Sequence, residues 1–291
     1  MEKTQKAAAP VNCDKTRQHL AAHVFTSQDV NEYKFLWRHW IGNSANKQLL
    51  GLDNFLYCDH VNGTVQTFDN FVLRHCHNKT ITVLPGEFQY HKCIAQSVPF
   101  EVIDPQKLIE ESSSNHRALI VSLPFSDTGD KHAMFDLLMT HCENYNIPVC
   151  LDIAYWGIGK NIMLDLNKYA MIQEVTCSLS KPFAGLDTYR IGVRFTRNYC
   201  NDGVSMINEM GMINKHSISM GMHFMNNFSA DWNWQYFGKK YDHIVQQLDL
   251  VKTNTVIFAL GDENRFANYN RGLAHNYRVC VSNYLEDINE D

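Results

Sequence analysis

Three short apolar runs between residues 147 and 195 each adjoin side chains that can do chemistry. The first, from Ile147 to Leu151, leads into Asp152 and Tyr155. The second, from Val175 to Cys177, leads into Ser178, Ser180 and Lys181, and the third, from Ile191 to Phe195, follows directly on Arg190. Short apolar runs bounded by polar residues read as buried strands. In an open parallel sheet, residues just past the carboxyl ends of the strands face a ligand crevice. The spacing therefore predicts an acid, a phenol, two hydroxyls, an amine and a guanidinium around one crevice.

The flanking sequence supplies the sheet that such a crevice needs. A strand-like run from Phe55 to Cys58 precedes a turn, Asp59 to Thr64, and then a helix with Val65, Phe68, Phe71, Val72 and His75 on one side. A strand, a glycine turn and a helix start leave free backbone N–H groups that suit an anion, so Asn62, Gly63 and Thr64 are candidates. Further strands are predicted from Lys79 to Leu84, ending in Pro85-Gly86-Glu87-Phe88-Gln89-Tyr90, and from Phe100 to Ile103. Another runs from Ala118 to Leu123, ending in Pro124-Phe125-Ser126-Asp127-Thr128-Gly129. Helical spacing marks Asp29 to Leu50, through Tyr33, Leu36, Trp37, Trp40 and Ile41, and His132 to Asn144. Ser112 to His116 reads as a polar loop.

This alternation predicts an α/β three-layer sandwich with a mostly parallel central sheet. Beyond Phe195 the pattern changes to a methionine-rich stretch, an aromatic cluster from Trp232 to Phe237, and strands at Thr255 to Leu260 and Arg278 to Ser282. The expected organisation is an N-terminal arm and helix over 1–50, its first 18 residues loose, and a large domain over 51–200. A helical connection and a small, reduced C-terminal α+β domain follow over 201–291.

Asp152-Ile153-Ala154-Tyr155, Ser178-Leu179-Ser180-Lys181 and Arg190-Ile191-Gly192 stand in the order of a known pattern. They resemble the cofactor-binding core of the fold-type I, aspartate-aminotransferase-like superfamily of pyridoxal phosphate enzymes. The resemblance runs over roughly residues 55 to 285, in a chain well below family length. It implies that Lys181 forms a Schiff base with the cofactor, that Asp152 holds the ring nitrogen and that Tyr155 holds the ring oxygen. The phosphate falls to Asn62, Gly63, Thr64, Ser178, Ser180 and Arg190, and the stacked aromatic to Phe88, with Tyr90 as the alternative. Ser126 stands where the family has asparagine, Asp127 where it has proline, and the loop Ala184-Gly185-Leu186-Asp187 holds one extra residue. Arg278 matches the arginine that grips the substrate carboxylate, with Arg271 and Arg265 as rivals. A guanidinium grips a carboxylate through two parallel hydrogen bonds.

The implied activity is transamination between an α-amino acid and an α-keto acid. Other pyridoxal phosphate chemistry (decarboxylation, elimination or cyclisation) and a binding protein without turnover are the alternatives. Asp187, Asp231 or a methionine-lined pocket could set side-chain choice. Relatives are homodimers with the active site at the subunit seam, to which Trp37 and Trp40 could contribute.

The net charge of −5 over 291 residues, with no basic run, argues against nucleic acid or an acidic membrane surface as partner. Nine cysteines without a CxxC pair, and an N-terminus lacking the apolar core of a signal peptide, lead to the expectation of a cytoplasmic protein. Trp156-Gly157-Ile158-Gly159-Lys160-Asn161 lacks the first glycine of a phosphate loop and its Ser or Thr. Cys58-Asp59-His60 and His75-Cys76-His77 are adjacent residues that cannot all aim at one ion, so no metal is expected.

Overall fold

The structure is a computed structural model that describes residues 3–112 and 115–286. Ser113 and Ser114 of the predicted polar loop lie outside the described residues, as do both chain ends. The elements begin with α1 (Asp14–Ala22), α2 (Val30–Gly42), β1 (Gln48–Leu50), β2 (Tyr57–Asn62), α3 (Thr64–His75) and β3 (Thr80–Val83). They continue with α4 (His91–Ile94), β4 (Phe100–Val102), α5 (Pro105–Glu110), β5 (Arg117–Ser122), α6 (Phe135–Tyr145) and β6 (Val149–Asp152). Next come β7 (Met163–Asp165), β8 (Ile172–Ser178), β9 (Ile191–Thr196), α7 (Gly203–Glu209), α8 (Lys215–Asn227) and α9 (Trp232–Gln247). The chain closes with β10 (Val251–Lys252), β11 (Phe258–Leu260), α10 (Glu263–Phe266), β12 (Arg278–Cys280) and α11 (Ser282–Leu285).

The central sheet has seven strands in the order β2-β9-β8-β6-β5-β3-β4. Strand β9 runs antiparallel to both its neighbours, and the other pairings are parallel. Alternation along β5 shows why the sheet is covered on both faces. Ala118 and Ile120 pack with Phe68, Phe71 and Val72 of α3. Leu119 and Val121 instead join the larger cluster that holds Trp37, Phe135 and Leu138. Burying each of these phenylalanines contributes about 2–3 kcal/mol. The C-terminal strands form a separate antiparallel sheet, β10-β11-β12, whose Phe258 and Val279 belong to that same larger cluster. Among the described residues no helix is long and apolar enough to cross a membrane.

Four expectations need correction. Helix α2 stops at Gly42 rather than Leu50, because the N–H of Ala45 and the hydroxyl of Ser44 turn to the Asp231 carboxylate and β1 then pairs with β7. Strand β2 extends to Asn62 instead of ending at Cys58. Its pairing with β9 and the buried Asp59–Arg194 ion pair draw polar residues into the ladder. Trp37 and Trp40 are core within this chain, the Trp40 indole donating to the Phe228 carbonyl at 2.8 Å, so neither offers dimer surface. The N-terminal arm is not loose either. Gln5 exchanges two backbone hydrogen bonds with Cys280, at 3.1 and 2.9 Å, along the edge of β12.

Candidate active site

The carboxyl ends of β2, β5, β6 and β8 and the amino end of the antiparallel β9 all lie on one edge of the sheet, as the registers Ser122↔Asp152, Ser178↔Gly192 and Asn62↔Ile191 require. That edge opens on a cavity of about 290 Å³. Gly63, Thr64, Phe88, Ser126, Asp152, Tyr155, Ser178, Ser180, Lys181 and Arg190 all line it. Asn62 does not, and its carbonyl instead accepts from Arg190 Nη2 at 3.2 Å. Tyr90 also lies off the wall, its hydroxyl donating to Asp69 at 2.7 Å, which leaves Phe88 as the aromatic on the cavity.

At one end the groups suit an anion. Helix α3 begins at Thr64, so its first N–H groups are free of intrahelical partners. Ser178 and Ser180 share a hydroxyl hydrogen bond of 2.8 Å, and the Ser180 N–H donates to Ser178 Oγ at 3.1 Å. Gly63 sits at φ +78°, and a Cβ there would come within 2.7 Å of Arg190 Nη2. Only glycine lets the guanidinium close over this turn. Arg190 itself adopts φ 55°, in the left-handed region.

At the other end lies a buried acid. Asp152 Oδ1 accepts the Ala154 N–H at 2.9 Å. Burial pushes its carboxyl up from 3.8 to about 7, against the Ala154 hydrogen bond and the charge of Lys181, which pull it down. A carboxyl raised by burial at the wall of a cavity marks a candidate functional group, and a positive partner there would favour its charged form.

Sequence reasoning missed Glu87. This buried carboxylate accepts the Ser122 N–H at 2.7 Å and the Ser122 hydroxyl at 2.6 Å, and Ser122 Oγ in turn accepts the Ser126 N–H at 2.8 Å. Burial raises it to about 7; the bonds to Ser122 oppose the rise and the Asp152 charge adds to it. No spacing signal marked it, because its partner lies 35 residues away at the end of another strand.

The arm also enters the site. Ala8, Ala9 and Pro10 line the cavity, and Lys181 Nζ donates to the Ala8 carbonyl at 2.9 Å. Beyond Lys181 a second chamber of about 540 Å³ shares Ala8, Phe88, Tyr155 and Lys181 with the first and reaches Arg271 and Arg278. Arg278 donates to the carbonyls of Ser126, at 2.5 Å, and Lys6, at 3.0 Å, and lies 3.4 Å from the Tyr155 hydroxyl. Of its two rivals, Arg271 reaches this chamber, whereas Arg265 is bound to Asp262 and the end of α9. Asp187 lines the first cavity, but Asp231 is tied to Lys47 at 2.6 Å and does not.

No family model matches the chain, and no curated protein matches it in sequence. Solved structures do match in shape. The pyridoxal-phosphate-bound C-S lyase from Staphylococcus hominis superposes with a TM-score of 0.66 at 11% identity, over 93% of this chain and 86% of that one. The aspartate aminotransferase from Thermotoga maritima gives 0.63 at 12% identity, covering 94% and 85%. The histidinol-phosphate aminotransferase from Clostridium acetobutylicum gives 0.59 at 13% identity, covering 87% and 80%. With TM-scores of 0.59 to 0.66 over most of both chains, this chain has the fold of the fold-type I, aspartate-aminotransferase-like enzymes.

Proposed function

We propose that this chain is a pyridoxal-phosphate-dependent aminotransferase that moves an amino group between an α-amino acid and an α-keto acid, with Lys181 carrying the cofactor. One observation supports this above the rest: Lys181, the buried acid Asp152 and an anion cup share a single cavity. The residues fit the group. Asp152 would hold the proton on the ring nitrogen, Tyr155 and Ser126 would hold the ring oxygen, and Phe88 would cover the ring. The N–H groups after Gly63, with Ser178, Ser180 and Arg190, would hold the phosphate. When bound, pyridoxal phosphate supplies an aldehyde and an electron-withdrawing ring on which an amino group can be exchanged.

The chain's own part is to orient and to move protons. Arg278 fixes the substrate carboxylate, and the Lys181 amine, once free, removes the proton from the substrate Cα. The Ala8 carbonyl now bonded to Lys181 has to give way when that amine is engaged. A lyase or decarboxylase would use the same residues, and one of the similar folds is a lyase. Product analysis separates them: transamination yields a keto acid without release of ammonia or carbon dioxide.

The proposal includes a homodimer in the cytoplasm. Phe35, Leu56, Tyr57 and Tyr199 are exposed, and apolar exposure of this kind marks interaction surfaces. All nine cysteines are free, as suits a reducing compartment. Sedimentation gives the oligomeric state directly. The cofactor test is borohydride reduction of purified protein, with loss of the yellow colour and a mass tag on Lys181 as the expected result. A colourless protein that ignores added pyridoxal phosphate overturns the reading.

A further inference from the structure

Hydrogen bonds tie the wall of the cavity to an acid that stands behind it. Ser122, Ser126 and Asp152 line the cavity, and Ser122 lies opposite Asp152 in the ladder between β5 and β6. Behind them, Glu87 Oε1 accepts the Ser122 N–H at 2.7 Å, and Glu87 Oε2 lies 2.6 Å from Ser122 Oγ. Ser122 Oγ also accepts the Ser126 N–H at 2.8 Å. The bond between Oε2 and Oγ can run in either direction, and the proton on Glu87 decides which.

A serine hydroxyl has one hydrogen and two lone pairs. The Ser126 N–H occupies one lone pair in either case. An ionised Glu87 has no hydrogen to give, so the Ser122 hydrogen goes to Oε2 and the serine offers the cavity no donor. A protonated Glu87 keeps Oε1 for the Ser122 N–H and donates from Oε2 to the second lone pair of Oγ. Both lone pairs are then filled, and the Ser122 hydrogen turns away from Glu87 into the cavity.

The surroundings keep both states within reach near neutral pH. Burial raises the Glu87 carboxyl to about 7; the Ser122 bonds oppose the rise, the Asp152 charge adds to it and the Arg271 charge lowers it. Arg271 Nη2 donates to the Glu87 carbonyl at 3.2 Å. Asp127 packs against Gly86 and accepts from the Asn276 amide at 2.8 Å. On the far side, His91 and Lys92 of α4 share with Glu87 a cavity of about 160 Å³, and His91, lowered to about 3 by burial, is neutral there. Two carboxylates on one desolvated wall disfavour each other. An ionised Asp152 beside a protonated ring nitrogen therefore favours the proton on Glu87.

We propose that Glu87 is a positioning residue: with its proton in place it turns the Ser122 hydroxyl into the cavity as a donor to the cofactor's ring oxygen beside Ser126, and without the proton it takes that donor back. This rests on reading the cavity as the cofactor site, so the test contains a part that needs no cofactor. Carboxyl bands of the full chain are followed by infrared difference spectroscopy between about pH 5.5 and about pH 8.5. Wild type should lose, across this range, a buried carboxylic-acid band that Glu87→Gln lacks throughout. In Ser122→Ala the loss should move to higher pH, because the ionised form has lost a donor.

Pyridoxal phosphate is then titrated by fluorescence into wild type and Glu87→Gln, whose amide accepts the Ser122 N–H and donates to Ser122 Oγ at every pH. The affinity of wild type relative to Glu87→Gln should start near one and fall at least about fivefold as pH rises. With 3-deoxypyridoxal phosphate, which lacks the ring oxygen, that ratio should stay flat. A merely structural role for Glu87 gives a ratio that does not vary with pH, and a role as a second negative charge gives one that rises. Either result overturns the proposal, as does a wild-type spectrum without the Glu87 band. The expected infrared behaviour in a protein that never takes up pyridoxal phosphate would sink the cofactor reading, and the role at the ring oxygen with it, while the Glu87–Ser122 switch would stand.

Discussion

Replacing Asp152 by Asn should stabilise the empty protein and weaken its hold on the cofactor. In the folded chain the carboxyl titrates near 7, against 3.8 for an unperturbed aspartate. At about 1.36 kcal/mol per unit, that gap amounts to about 4 kcal/mol. The sign follows from proton counting. Between the two values the folded protein keeps a proton that the unfolded chain has lost, so stability is fully present below the unfolded value and is lost as pH rises through the folded one. About 3 kcal/mol of this should disappear between pH 5 and pH 8. Asparagine keeps the oxygen that accepts the Ala154 N–H and carries no charge to desolvate, so the variant should lack this loss. Glu87, raised mainly by its own burial, adds a slope of its own to both proteins, a smaller one in the variant because the Asp152 charge that adds to its shift is gone, so the two curves diverge further. The assay is denaturant unfolding of cofactor-free wild type and Asp152→Asn at several pH values. The curves should diverge as pH rises, while pyridoxal phosphate affinity falls in the variant. Parallel curves would refute the argument, because they would mean that the carboxyl is not desolvated in the fold.

Three further outcomes are expected. Gly63→Ala places a Cβ at φ +78° and 2.7 Å from Arg190 Nη2. It should cost about 1–2 kcal/mol in stability and lower the affinity for pyridoxal phosphate while sparing pyridoxal, measured by fluorescence titration. Arg278→Ala should weaken amino-acid binding at least about tenfold with cofactor absorbance unchanged; lost cofactor, or an unchanged substrate affinity, would reject its assignment. Deleting residues 3–9 removes the Ala8 carbonyl from Lys181 and the Lys6 carbonyl from Arg278. Amine-selective labelling of Lys181, read by mass spectrometry, should then quicken several-fold while the far-ultraviolet spectrum stays the same.

Much of this site was legible because chemistry at strand ends is tied to short apolar runs, which a sequence displays. Asp152, Ser178 and Arg190 each adjoin such a run, and once the runs pair in one sheet their ends have to meet. The parts that stayed hidden depend on contacts distant in sequence. Strand β2 looked short because Asp59 and His60 are polar, and what makes them strand is pairing with β9 and the ion pair to Arg194. The arm read as loose because its alanines advertise nothing, yet its backbone bonds to Cys280 and caps Lys181. Glu87 was invisible as a buried acid because its hydrogen bonds are made to the end of β5.

The hidden and legible groups meet in one electrostatic pattern. Asp152 and Glu87 are raised to about 7 by burial, Asp127 is raised as well, and Arg271 is depressed. A fold selected for stability alone would not bury so many unfavourable charges around a cavity, since apolar residues of similar size would cost less. On the proposed reading that cost would be offset when ligand charges arrive: a protonated ring nitrogen beside Asp152, a phosphate at Gly63 and Arg190, and a substrate carboxylate at Arg278. It follows that pyridoxal phosphate and an amino acid together should raise the unfolding temperature more than pyridoxal phosphate alone does. The excess should shrink in Arg278→Ala, because the substrate carboxylate then loses the guanidinium proposed to hold it.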